Sequence, residues 1–365
     1  MISDVDAAVA FLDGLVNLEY KHKAAILELY DNPADIFKNK DLAADYLETN
    51  LSPAAANTFS EAINSGATDE ITDALSRDGI TPVSVFSGGY PSRLKYLDYK
   101  PLCLYAKGDL SLLNADKTLG IVGSRKTLPE YAALTKSVAE SLSGAGVTVV
   151  TGVAFGADKA AITGALNSGK IICVTAGGFN YLKGEANRDL IEKVIENGLC
   201  ITEYPPSVPP LAFHYPVRNR IIAGLSDGVV IASGDRKSGA RHTADYALDY
   251  GVDVMAFPYA VGVTSGELCN SLIKDGAHLV ETSEDVAEVL GVELNGNDKN
   301  NAITLSDKEK SVYDIIAGGS GNADEILLKT GFKVYELTPI LTMLELKGLI
   351  LKGAGGDYKP VKGRF

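Results

Sequence analysis

The sequence contains no apolar run near the ~18 residues that cross a bilayer as a helix, so it offers no membrane span. Its opening, Met1-Ile2-Ser3-Asp4-Val5-Asp6, is acidic where a secretory leader is basic. Cysteine is scarce: Cys103, Cys173, Cys200 and Cys269 lie far apart, three of them in or beside apolar runs. That excludes a disulfide framework and suits reduced, buried thiols in a cytoplasmic protein. The 4 histidines show no metal-ligand spacing. An excess of base is missing too. There are 34 Lys+Arg against 47 Asp+Glu, a net charge of -13, which by itself argues against a nucleic-acid ligand.

What is present is the material for a large core. The chain has 365 residues, 46% hydrophobic and 22% charged, enough for two or three domains of roughly 150 residues each. Its acidity is uneven. Residues 1–115 hold 17 acids and 9 bases, residues 118–291 hold 19 and 14, and residues 305–365 hold 8 and 9. Between 218 and 241, Arg218, Arg220, Arg236, Lys237 and Arg241 face only Asp227 and Asp235, a local electrostatic footprint in an acidic chain.

Helical periodicity in Ala7–Leu12 and Ala24–Leu29, punctuated by Asn32-Pro33 and Ser52-Pro53, predicts a small helical domain over residues 1–78, which resembles sterile-alpha-motif or helix-hairpin-helix domains. Nothing in it suggests chemistry. Residues 79–117 connect it to an alternation of apolar runs (119–123, 147–151, 171–175, 199–202, 228–232, 253–257, 277–280) with helical patterns. That rhythm predicts an α/β domain over 79–291, a Rossmann-like, mainly parallel sheet with helices on both faces. A polar linker follows at 292–304. Residues 305–365 then read as three helices and a glycine-tipped hairpin, a winged-helix pattern, with five bases against one acid in its tail, 347–365. Residues 79–291 alone are expected to fold.

The stretch Leu119-Gly120-Ile121-Val122-Gly123-Ser124-Arg125 reads as a buried strand ending in a small-residue turn with one fixed cation. Strand, glycine turn and helix set backbone N–H groups beside an anion. The arrangement returns at Val147–Gly156, so the two turns should lie side by side. Neither spacing is the dinucleotide fingerprint G-x-G-x-x-G, and no nicotinamide cofactor is expected. Gly164–Lys170 imitates a phosphate loop, but it leaves a helix and enters a strand, the reverse of the required order, and a helix-ending glycine explains it. Asp158 reads as a helix cap. In Phe213-His214-Tyr215-Pro216-Val217-Arg218-Asn219-Arg220, arginine forks suit phosphates and interleaved aromatics suit unstacked bases. The plainer alternative is that one arginine braces the glycine turns and the rings are core. Ser238 and Thr243 either receive an anion at a helix start, or Ser238 merely caps it.

These stretches together resemble the bacterial DNA-processing protein A family (DprA, also called Smf). The resemblance is carried by Gly-Ser-Arg at 123–125, Thr-Gly-Val-Ala-Phe-Gly-Ala-Asp at 151–158, Phe-His-Tyr-Pro-Val-Arg-Asn-Arg-Ile-Ile-Ala-Gly-Leu-Ser at 213–226 and Gly-Glu-Leu-Cys-Asn-Ser-Leu-Ile at 266–273. Tyr90-Pro91 with Leu94, then Pro101, Leu104-Tyr105 and Gly108, are similar to that family's entry segment. The resemblance covers about residues 79–291. It implies a non-enzymatic protein that binds single-stranded DNA without a cofactor. Such a protein protects incoming DNA in natural transformation and loads the RecA recombinase onto it. It also implies a homodimer formed through the Rossmann-like domain. Carried over, the DNA site comprises Ser124, Arg125, Gly152, Phe155, Gly156, Lys183, Asn187, Phe213, Arg218, Asn219 and Arg220, with Ser238 and Arg241 added from the helix start beyond them.

The chain departs from that family in three places. Ala232-Ser233 stand where an acid is usual after the fifth strand of the parallel series. Arg241-His242 replace two apolar residues. Tyr181-Leu182-Lys183-Gly184 lacks the usual Tyr-Pro. A Rossmann-like nucleotide phosphoribohydrolase is the competing enzyme reading, but it needs a Glu beside the later Thr, and Thr243-Ala244-Asp245-Tyr246 offers only Asp245. A winged-helix transcriptional regulator is the third.

Overall fold

The alternating apolar runs become one sheet. A computed structural model describes residues 2–184, 187–294, 305–319, 321–353 and 356–361. The strands are β1 (Thr81–Ser84), β2 (Cys103–Gly108), β3 (Thr118–Val122), β4 (Thr148–Thr151), β5 (Ile171–Val174), β6 (Leu199–Thr202), β7 (Gly228–Ile231), β8 (Asp253–Ala256) and β9 (His278–Leu279). Their order across the sheet is β1-β2-β6-β5-β4-β3-β7-β8-β9. Pairing is parallel from β6 through β9, and antiparallel only for β1–β2 and β2–β6. Every residue of β3 to β7 is buried. Burial on both faces is why these strands read as unbroken apolar runs rather than alternating ones.

Ahead of the sheet come α1 (Asp4–Gly14), α2 (Tyr20–Glu28), α3 (Lys40–Asn50), α4 (Pro53–Asn64) and α5 (Ala67–Arg77). They share a core with the sheet: Phe11, Leu12, Ile26 and Phe59 belong to the same apolar cluster as Leu104 and Ile201. Polar ties reinforce the joint. Tyr105 donates to Asp13 Oδ2 at 3.1 Å, and Asp6 Oδ1 accepts from the Ser84 N–H at 2.9 Å. Met1–Leu294 is therefore one compact unit. The sequence boundary at residue 78 falls between a helical layer and a sheet that share their interior.

The helices α6 (Pro129–Gly144), α7 (Ala157–Ala165), α8 (Arg188–Asn197), α9 (His214–Leu225), α10 (Ala240–Asp249), α11 (Glu267–Lys274) and α12 (Ser283–Leu290) cover the two faces of the sheet. After α7, a 3-10 turn (Leu166–Ser168) closes on Gly169 in the left-handed region, φ 70°. This is the helix-ending glycine expected there, and it removes the phosphate-loop reading.

The second unit is Asn295–Phe365, with α13 (Asp307–Ala317), α14 (Ala323–Thr330), α15 (Val334–Leu346) and an antiparallel hairpin of β10 (Ile350–Lys352) and β11 (Tyr358–Pro360). Ser306 and Glu309 form a capping box at its first helix. Its own core includes Val312, Ile316, Ile326, Leu344 and Ile350, the expected winged-helix arrangement. Of its basic tail, Lys347, Lys352 and Lys359 are described, whereas Lys362 and Arg364 lie outside the described residues, as do linker positions 295–304. No helix among the described residues is long and apolar enough to cross a membrane.

Candidate nucleic-acid interface

In an open α/β sheet, the crevice lies outside the carboxyl ends of the strands, where the strand order reverses. Here the reversal is at β3, whose neighbours are β4 on one side and β7 on the other. The turn after β3 is fastened to the turn after β7. Ser124 N–H donates to the Ser233 carbonyl at 3.1 Å and to Ser233 Oγ at 3.0 Å, and Thr127 Oγ1 lies 2.7 Å from the same hydroxyl. Ser233 thus does the fastening. The turn after β4 docks from the other side, with Ala157 N–H donating to the Ser124 carbonyl at 3.3 Å. Gly156 makes that approach possible. Its φ is 76°, and a Cβ there would run into the backbone of Ser124 and Arg125. The two glycine turns lie side by side, as expected.

Beneath them is a buried polar layer. Arg218 is 4% exposed; its guanidinium donates to the Val174 carbonyl, and its Nε donates to Asn219 Oδ1 at 3.1 Å. A Cβ on Gly152 would collide with both the Asp158 carboxylate and the Arg218 guanidinium, so this position also requires glycine. Asp158 accepts from Ala154 N–H at 3.2 Å. Burial pushes its carboxyl up to about 6, although the charge of Arg218 opposes the shift. Asn187 is buried as well, and its Nδ2 donates to the Val153 and Ala154 carbonyls at 2.9 and 2.7 Å. Asp158, Arg218 and Asn187 brace the turns from below.

Arg220 is also internal. It makes a two-pronged pair with Glu203, at 2.9 and 2.5 Å, and donates to the Tyr99 carbonyl at 3.1 Å. From the sequence, Arg218 and Arg220 are expected just before an apolar helix, with one of the two structural. The helix actually begins at His214. Both arginines therefore lie on its second turn, turned inward, and both are committed to internal partners. The basic footprint of 218–241 is reduced accordingly. Asp227 is held by Arg93 at 2.9 Å and accepts from Thr118 N–H at 2.8 Å, at the opposite, amino ends of β3 and β7.

What the rim presents outward is a short set. Arg125 is exposed, its guanidinium 5.5 Å from the centre of the Tyr215 ring. Lys126, beside it, is exposed too and was not singled out in the sequence, although it extends the same Gly-Ser-Arg turn. Phe155 and Phe213 are exposed, so neither is a core ring. Phe213 meets His214 edge-on at 4.5 Å, and His214 stacks on Tyr204 at 4.1 Å. Burial lowers the His214 pKa. Asn219 is half-buried and donates to the Gly239 carbonyl at 3.3 Å. Ser238 Oγ accepts from Ala240 N–H at 3.3 Å, a local turn bond, although the residue at the cap position of this helix is Gly239; Thr243 is buried. Arg241 is exposed, with Asp245 4.0 Å away, and Arg236 and Lys237 are exposed beside it. Lys183 falls in the 3-10 turn Phe179–Gly184, but its side chain lies outside the described residues. No group of acids, histidines and cysteines that could hold a metal occurs among the described residues.

Comparison with known proteins places this arrangement in context. The family described as DNA recombination-mediator protein A matches residues 82–291, and a DprA winged helix domain matches residues 298–356. The chain is 37% identical over 206 residues to DNA processing protein DprA of Streptococcus pneumoniae, covering 56% of this chain and 72% of that one. It is 32% identical over 277 residues to protein Smf of Escherichia coli, covering 73% and 74%. The solved structure of DNA processing protein A from Streptococcus pneumoniae superposes with a TM-score of 0.63 at 28% identity, over 80% of this chain and 99% of the other. A structure of DNA processing protein A from Helicobacter pylori, concerned with its single-stranded DNA binding mode, superposes with a TM-score of 0.53 at 27% identity, over 58% and 95%.

Proposed function

The chain belongs to the DNA recombination-mediator protein A (DprA/Smf) family, and from its rim we propose that it binds single-stranded DNA as a non-enzymatic mediator of recombination. The observation that carries the reading is the contrast at the strand ends. The glycine turns are braced by buried Arg218, Asp158 and Asn187, while Arg125, Lys126, Phe155 and Phe213 are left exposed above them. Fixed cations meet phosphates and exposed rings meet unstacked bases, neither of which needs base-edge readout. The H. pylori relative supports the choice of ligand. Ser124, Gly152 and Gly156 shape the floor of the site, and Asn219, Lys183 and Arg241 are its outlying members.

Family membership supports two finer parts of the reading: delivery of the strand to the RecA recombinase, and a homodimer formed through the sheet domain. A fluorescence anisotropy titration tests the core of it, using a labelled single strand against single-stranded, duplex and mononucleotide competitors. Competition by single strands alone is expected. Preference for duplex, or release of free base from a nucleotide, would overturn the reading in favour of a regulator or a phosphoribohydrolase. Faster RecA filament nucleation on single strands in the presence of the chain tests the delivery step, and sedimentation tests the dimer.

A further inference from the structure

Three large rings stand out of the fold on neighbouring loops. Phe155 (48% exposed) follows β4, Tyr181 (42%) follows β5 and Phe213 (64%) ends the loop after β6. Packing ordinarily hides most of such a ring, and nearby it does: Phe179, Phe257 and Tyr259 are all buried. Core packing therefore does not account for the exposed three. β4, β5 and β6 are successive neighbours in the sheet, about 4.8 Å apart from strand to strand. Backbone and side-chain bonds hold their loops in that order. Gly178 N–H donates to the Val208 carbonyl at 2.8 Å and Asn180 N–H to the Pro206 carbonyl at 3.2 Å, which stitches the Tyr181 turn to the loop leading to Phe213. Asn187, just beyond that turn, holds the Val153 and Ala154 carbonyls beside Phe155. Among the described side chains, the exposed cations Arg125, Lys126, Arg236 and Lys237 belong instead to the turns after β3 and β7, and Arg125 reaches the Tyr215 ring on α9. These described side chains give the rim an aromatic half and a cationic half that meet at Arg125 and Tyr215.

We propose that Tyr181 is a base-stacking platform between Phe155 and Phe213, so that the aromatic half receives three unstacked bases while the cationic half receives the adjoining phosphates. This rests on the single-strand reading above. Stacking uses the π face common to every base, so the platform is indifferent to sequence. It also carries no charge, so it adds nothing to the dependence on salt.

The absence of tryptophan from the chain makes a direct test available. Tyr181→Trp installs a lone indole at the platform, and a saturating single strand of mixed sequence is expected to quench its emission. Tyr181→Leu keeps much of the apolar volume and loses the aromatic face. It is expected to bind at least about fivefold more weakly, the low end of one stacked base, with the salt slope and melting temperature of the wild type. Wild-type affinity in Tyr181→Leu, or an indole whose emission stays constant at saturation, overturns the proposal. If the wild-type chain itself binds no single strand, the functional reading falls and the platform with it. If the wild type binds and Arg125→Ala weakens it while Tyr181→Leu does not, only the platform falls.

Discussion

At the scale of single residues, the site separates groups that touch water from groups that hold the turns, and each kind gives its own signature. Arg125 is exposed and meets its ligand as a charge. Arg125→Ala should weaken single-strand binding, leave the melting curve in place and flatten the slope of log K against log salt by about 0.7; an unchanged slope removes Arg125 from the site. Arg220 is the opposite case. Its side chain and that of Glu203 are 10% and 14% exposed, and removing one partner of a buried pair costs about 3–5 kcal/mol. Arg220→Ala should therefore lower the melting temperature markedly, and affinity per folded molecule should move less than in Arg125→Ala. Asp158 supplies a pH test. Its pKa is raised from 3.8 to about 6 by burial, so the folded state holds the proton more tightly than the unfolded one. The resulting stabilisation is complete below the unfolded value and is lost as pH rises through about 6. Asp158→Asn should flatten the stability profile between about pH 4 and 6, measured by denaturant melts; a profile identical to wild type refutes the assignment.

At the scale of elements, the parallel strands were readable because burial on both faces leaves a continuous apolar signature. β3 to β8 fall within a residue or two of the runs picked out in the sequence. The direction of β2 was not readable. Its pairing with β6 joins residues about a hundred positions apart, and no local pattern records such a partner. The arginines of α9 were misplaced for a related reason. The first turn of that helix, His214-Tyr215-Pro216-Val217, is polar and aromatic enough to pass for loop, and starting the helix late turns Arg218 and Arg220 outward on paper. The exposed rings, by contrast, were half legible, since Phe213 stood in a recognisable run while Tyr181 sat in a segment noted only for what it lacked. The shared core of α1 and the sheet also revises an expectation. A chain beginning at residue 79 would leave Leu104 and Tyr105 without Phe11, Leu12 and Asp13. The fragment 1–294 should melt as the sheet unit does in the full chain, and the fragment 79–294 should melt well below it or precipitate. Equal melting temperatures for the two fragments would show that the helical layer adds no stability.

At the scale of the whole molecule, two units with separate cores imply two separate unfolding events, and the chain carries an internal means of telling them apart. None of the four cysteines is in a disulfide, all four are buried, and all four belong to the larger unit: Cys103 in β2, Cys173 in β5, Cys200 in β6 and Cys269 in α11. The winged-helix unit contains none. A small alkylating reagent added to the native chain therefore reacts only when the larger unit opens, and the rate at each thiol times the opening of one layer. Cys103 reports on the seam with the N-terminal helices, Cys173 and Cys200 on the strands beneath the aromatic rim, and Cys269 on the opposite side of the sheet. A bound single strand should slow the pair beneath the rim before it slows the other two.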